Sequence, residues 1–200
     1  MTTGLKEHLV RCESAMHAAA KVLSTLDFPT DQRTLTVVGF ISVLIEHQES
    51  VLLLVIHGNP GSASALIRPI VEGAFRALWI NGPATEAEVK GFVEKDVIQP
   101  KFGEIAVALD GAYEGRGMFQ GFKARTWDPL NSFTHGGMHQ IRRRFIDQKV
   151  ANDYNEEDLH EITTMTTLVV LLTISLFLEK HGHRTSVDRI QSLLTYFDGD

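Results

Sequence analysis

The 200-residue chain has a single cysteine, Cys12, so no disulfide can form within it. The fold must rest on a hydrophobic core, and paired-cysteine redox chemistry is excluded. Cys12 lies in an amphipathic pattern with no Cys/His motif around it, which reads as a buried structural thiol in a reducing compartment. Basic residues are in deficit: 19 Lys and Arg stand against 25 Asp and Glu, a net charge of -6. That argues against a dedicated duplex-DNA binder with a basic face. A membrane helix needs roughly 20 consecutive apolar residues, and no such run occurs. Residues 37–56 are interrupted by Glu46, His47, Gln48 and Glu49, and residues 162–178 by Thr163, Thr164, Thr166, Thr167 and Thr173. Both are expected to be core helices. Lys6, Glu7, Arg11 and Glu13 leave no secretory signal to read, so a cytoplasmic protein is expected. The chain also lacks a phosphate loop of the GxxxxGK[ST] type, a recognisable Ser/His/Asp order and an alternating strand pattern.

What is present is helical periodicity along almost the whole chain. It predicts six to seven helices in one antiparallel all-α bundle, a single domain over residues 1–200. The helices fall at 5–26, 31–57, 62–80, 85–109 (broken or bent near Pro100), 127–146, from 155 onward, and 186–197. Gly58, Asn59, Pro60 and Gly61 form a strong breaker. Gly111, Gly115, Gly117 and Gly121 mark a candidate mobile loop.

The segment 127–145, WDPLNSFTHGGMHQIRRRF, carries the most chemistry. As one helix capped by Asp128 with Pro129 at its first position, it places Leu130, Phe133, Met138, Ile141 and Phe145 on an apolar arc. His135, His139 and Arg142 then form a stripe at i, i+4 and i+7, with Arg143 beside it. Gly136 and Gly137 would cost such a helix roughly 2 kcal/mol relative to alanine, which calls for a close contact with a backbone, ligand or subunit. Imidazole moves protons near neutral pH, and arginine holds phosphate. Together they suit metal-free cleavage of an RNA phosphodiester. The plainer account is that both histidines bond to neighbouring helices and that Arg142, Arg143 and Arg144 form a solvated helix end.

The helix 62–80 bears Arg68, Glu72 and Arg76 at i, i+4 and i+8 on an otherwise apolar surface, with Pro69 inside it as a kink or true start. These three either form an ion network that fixes bundle register or aim an arginine at His135 to make an anion site. A metal site is not expected. Glu157 and His160 form one Glu-x-x-His pair where a di-iron bundle needs two, and Gly136 follows His135 where a zincin has glutamate. His181 and His183 read as helix-end residues.

The pairing of SASALIRPIVEGAFRALW with LNSFTHGGMHQ resembles a group of uncharacterised bacterial all-helical proteins. Through them it resembles the HEPN superfamily, helical bundles of toxin–antitoxin and antiviral systems, over residues 36–177. Many members are metal-independent ribonucleases in which two copies of a motif meet across a homodimer. The motif is an arginine, then a polar residue, then a histidine a few places on. The resemblance puts Asn131 at the polar position and His135 at the histidine, but Leu130 at the arginine. It therefore implies either that Arg68, Arg125 or Arg142 substitutes in space, or that the chain is a non-catalytic interaction or scaffolding member.

The resulting expectation is an RNA-binding or RNA-cleaving bundle without cofactor, forming a homodimer and paired with an antitoxin or other partner protein. His135, Asn131, Ser132 and His139 would make the catalytic group, and Arg68, Glu72, Arg76, Arg142 and Arg143 the binding group. The alternatives are a scaffolding homodimer and, third, a metal-binding hydrolase of bundle type.

Overall fold

A computed structural model describes residues 1–197. The helices are α1 (Thr3–Ser24), α2 (Gln32–Ile56), α3 (Pro60–Asn81), α4 (Glu86–Lys95), α5 (Phe102–Ala112), α6 (Met118–Thr134), α7 (Met138–Arg142), α8 (Glu156–Lys180) and α9 (Arg184–Leu194). A two-residue hairpin, β1 (Phe145–Ile146) with β2 (Lys149–Val150), follows α7, and a 3-10 turn (Thr195–Phe197) follows α9. The chain is thus an all-α, single-domain helical bundle.

Local chemistry sets most of the helix starts. Asp31 accepts the Thr34 amide at 3.0 Å and its hydroxyl at 2.7 Å, opening α2. Thr85 with Glu88 and Asn155 with Asp158 form reciprocal capping boxes for α4 and α8. Pro60 takes the first position of α3, where its missing N–H does no harm. The three residues between α2 and α3 fold one back along the other.

The core is centred on α3 and α8. α3 packs against α2, α5, α6 and α8, while α8 packs against α1, α2, α3 and α9. Ile70, Ile80, Leu171, Ile174 and Phe177 are all fully buried. The threonines of α8 reach the core without an unmet hydroxyl: Thr163, Thr166, Thr167 and Thr173 each donate to the carbonyl four residues back, at 2.7–2.9 Å. Gln48 of α2 donates to Thr167 at 2.8 Å. Both α2 and α8 are long and apolar enough to cross a membrane by length and composition, and here both are packed bundle helices, with 33% and 61% of their most apolar windows buried.

The break expected near Pro100 is present: residues 96–101, with Asp96 in a left-handed conformation, separate α4 from α5. Three expectations are corrected. The Gly-rich stretch is mostly helical, and only residues 113–117 connect α5 to α6. A strand pair exists, its turn held by Asp147 and Gln148, both at positive φ.

The third correction concerns 127–146, which is not one helix. α6 begins nine residues earlier, at Met118, because Asp110 of α5 accepts the amides of Phe119 at 3.0 Å and Gln120 at 3.1 Å. Asp110 thereby does the work that Gly117, at the cap position, has no side chain to do. Pro129 lies inside this helix rather than at its start. α6 then stops at His135. Gly136 has φ +66°, and the Gly137 amide donates to the Ser132 carbonyl at 2.7 Å, which together form a Schellman stop. The glycine pair is a helix terminator, so the mid-helix cost does not arise. Nine α-helices among the described residues, against six to seven expected, follow from these breaks.

Candidate functional site

The functional features converge on a groove of about 370 Å³ between α2, α3 and the end of α6. Its polar lining is His47, Arg68, Glu72, Arg76, Thr134 and His135. Gly73 sets the floor: a Cβ there would come within 3.0 Å of Leu44 Cδ2, so the glycine lets α2 and α3 approach closely.

Pro69 has no N–H to return to the Ala65 carbonyl one turn earlier. The Thr134 hydroxyl, which bonds the Leu130 carbonyl at 2.9 Å, also lies 3.3 Å from the Ala65 oxygen. This ties the last turn of α6 to the proline turn of α3 and brings His135 over Arg68.

Arg68 is held on three sides. Its Nε donates to Glu72 Oε1 at 2.8 Å, its guanidinium carbon lies 5.0 Å from the Trp127 ring centroid, and its Nη1 contacts His135 Nε2. Trp127 is in turn stacked on Phe102 at 4.2 Å, and Phe102 on Phe75 at 4.8 Å. A guanidinium only donates, so His135 Nε2 accepts with its lone pair and the ring proton resides on Nδ1. The second Glu72 oxygen takes Arg76 at 3.4 Å. Arg68 and Glu72 are 20% and 19% exposed, whereas Arg76 is 39% exposed and open to the groove mouth. Two guanidiniums against one carboxylate leave one net positive charge. The site can therefore hold an anion beside an imidazole whose lone pair, engaged by Arg68, is freed for proton transfer when an anion takes that guanidinium.

The remaining expected site residues do not join this group. His139 lies on α7, exposed, with its ring 6.2 Å from Phe133, because the helix break carries it away from His135. Ser132, in the last turn of α6, braces the start of α7: its hydroxyl oxygen accepts the His139 amide at 2.9 Å. Asn131 is half-buried on the last turn of α6, outside the groove lining.

The three arginines diverge. Arg143 makes a paired contact with Asp158 at 2.8 and 2.7 Å and lies 5.1 Å from the Tyr154 ring centroid, clasping the hairpin segment to α8. The Asp158 hydrogen bonds push its already high pKa further up, so it is a permanent structural cation. Arg144 bonds Asn152 and packs on Gly61. Arg142 is exposed on α7, away from the groove. The expected binding roles of Arg142 and Arg143 thus give way to a free surface cation and a clasp. Leu130 is a core residue, 4% exposed. Of the arginines expected to stand in for it, Arg68 is the one that touches His135.

His47 was not singled out from the sequence for chemistry. Its signal is the polar interruption at Glu46–Glu49 in an apolar helix: Gln48 turns inward to Thr167, and His47 one position earlier turns into the groove. Among the described residues no cluster of three or more His, Cys, Asp or Glu side chains is arranged to hold a metal.

The fold and site define a helical bundle with an arginine–histidine groove on its central helix. The chain belongs to a family of unknown function, DUF6988, which matches residues 41–199 and so includes every groove residue but Phe40. No curated protein and no solved structure matches it.

Proposed function

We propose that the groove is a phosphodiester site and that this protein binds and cleaves RNA without a metal. The observation that carries the reading is the contact between Arg68 and His135, two residues 67 positions apart in the chain. A phosphate arriving between Arg68 and Arg76 meets two donors in an otherwise half-buried setting, where charge–charge attraction is stronger than in bulk water. It also competes with His135 for Arg68, which uncovers Nε2 beside the bound group. The ribose 2′-hydroxyl is the nucleophile such a base can activate. Arg68 supplies in space the arginine that the HEPN motif would have at Leu130, which supports the resemblance to that superfamily. On that resemblance rests the further proposal of a cytoplasmic bacterial toxin or defence protein with a cognate antitoxin.

The test is RNA cleavage in EDTA by wild type, His135→Ala and Arg68→Ala, each checked for helicity by circular dichroism. Cleavage by wild type that drops by about 100-fold or more in folded His135→Ala is expected. An inactive wild type, or an unaffected His135→Ala, overturns the reading.

A second reading, a non-catalytic scaffolding homodimer, is favoured by a different observation. Met138, Ile141, Phe145, Ile146 and Val150 are all exposed on α7 and the hairpin, at 42–83%. Exposed apolar side chains gathered on neighbouring elements are characteristic of protein interfaces.

A further inference from the structure

We infer that His47 is the general acid of this groove, the counterpart of His135 as general base; the inference rests on the RNA-cleaving reading above. Transfer of a phosphoryl group within RNA needs two proton movements in one displacement, one at the entering oxygen and one at the leaving oxygen. These oxygens lie on roughly opposite sides of phosphorus, so a single imidazole is poorly placed to serve both. The groove supplies two, from separate elements: His135 at the end of α6 and His47 on α2, within one volume of about 370 Å³.

The other titratable groups that face His47 across the groove are Arg68, Glu72, Arg76 and His135. Both arginines are permanent cations. Glu72 has one oxygen on Arg68 and the other on Arg76, so it is occupied as a bridge. His135 Nε2 faces an arginine donor and therefore holds a lone pair, the form a base requires. That leaves His47 as the proton donor. Among the described residues it has no hydrogen bond or ion pair, so its ring is free to turn toward a leaving oxygen.

In the step that follows, the 2′-oxygen attacks phosphorus and its proton passes to His135 Nε2. The bond from phosphorus to the 5′-oxygen breaks, and that oxygen takes a proton from the His47 imidazolium. The products are a 2′,3′-cyclic phosphate and a 5′-hydroxyl, with His135 left protonated and His47 neutral. Exchange with water resets both. Both histidines belong to one chain, so this acid–base pair needs no second copy.

The experiment compares two substrates: a ribodinucleotide, whose 5′-alkoxide leaving group needs a proton, and uridine 3′-(4-nitrophenyl phosphate), whose nitrophenolate does not. His47→Ala and His47→Gln are read in parallel, and a variant that circular dichroism shows unfolded is set aside for the other. The expected result is a loss of about 100-fold or more on the dinucleotide with near-wild-type rates on the nitrophenyl ester. His135→Ala is expected to lose both. Unchanged dinucleotide cleavage by folded His47 variants overturns the inference and leaves the RNA reading standing. Equal loss on both substrates overturns the acid role as well, since a base or a structural part would behave that way. A wild type inert on both substrates removes the RNA reading and this inference with it.

Discussion

Gly136 carries a left-handed backbone, φ +66°, at the end of α6, with open space where a Cβ would sit. The cost of a side chain there is conformational alone, roughly 1 kcal/mol for alanine. Gly136→Ala is therefore expected to destabilise by about 1 kcal/mol in urea denaturation. A continuous helix across residues 127–146 would give the opposite sign, because alanine is favoured over glycine by about 1 kcal/mol in a helix interior. The sign decides between the two geometries. Glu72 offers a second single-residue test. It neutralises one of two arginines, so Glu72→Gln raises the groove's net charge from one to two. Stability is expected to fall by about 1 kcal/mol, since the ion pairs are partly solvated. Affinity for inorganic phosphate, measured calorimetrically, is expected to rise. A fall in both would make the triplet a packing network and nothing more.

At the scale of elements, periodicity and caps made α1, α2 and α3 legible to within a few residues at each end, and the start of α8 to within one. Ser/Thr/Asp/Asn caps and Gly-Pro breakers act over three or four residues, which is the range that a sequence displays directly. The 127–146 segment was misread for a physical reason. Its apolar residues keep helical spacing across the Gly136–Gly137 break, because α7 resumes the winding after one Schellman turn. The true start of α6 was hidden too, since its cap comes from Asp110, eight residues before the first helical position. That cap also titrates. Burial opposes ionisation of Asp110, but the amides of Phe119, Gln120 and Gly117 and the Gln120 side chain outweigh it, and its pKa is lowered. Asp31 is lowered likewise, by the Thr34 amide and hydroxyl. A carboxyl lowered in the folded state contributes stability above its ordinary value of about 3.9 and loses it as pH falls through the lowered one. Melting temperature is therefore expected to drop with acid below about pH 4. Asp110→Asn should flatten that slope, and an unchanged slope would mean that Asp110 does not cap α6 in solution.

For the whole molecule, α3 is both the axis of the core and one wall of the groove. Its inner face carries Ile70, Ala74 and Leu78, and its outer face carries Arg68, Glu72 and Arg76. The charged triplet was visible as a stripe, and so was His135. That they meet was not, because the meeting depends on the Thr134 tie to the proline turn and on Gly73 letting α2 close the other side. The partners of Arg143 and Arg144, Asp158 and Asn152, likewise follow from how the hairpin folds back, not from any local pattern. The same fold-back leaves Met138, Ile141, Phe145 and Ile146 in water. Burying them against a second copy predicts a dimer that a single charge would split. Sedimentation of wild type is expected to give a dimer, and Phe145→Glu a monomer of unchanged helicity. RNA cleavage retained by that monomer would assign the reaction to one chain's groove, as the His47–His135 pair requires. Cleavage lost on dissociation would mean that the second copy completes the site.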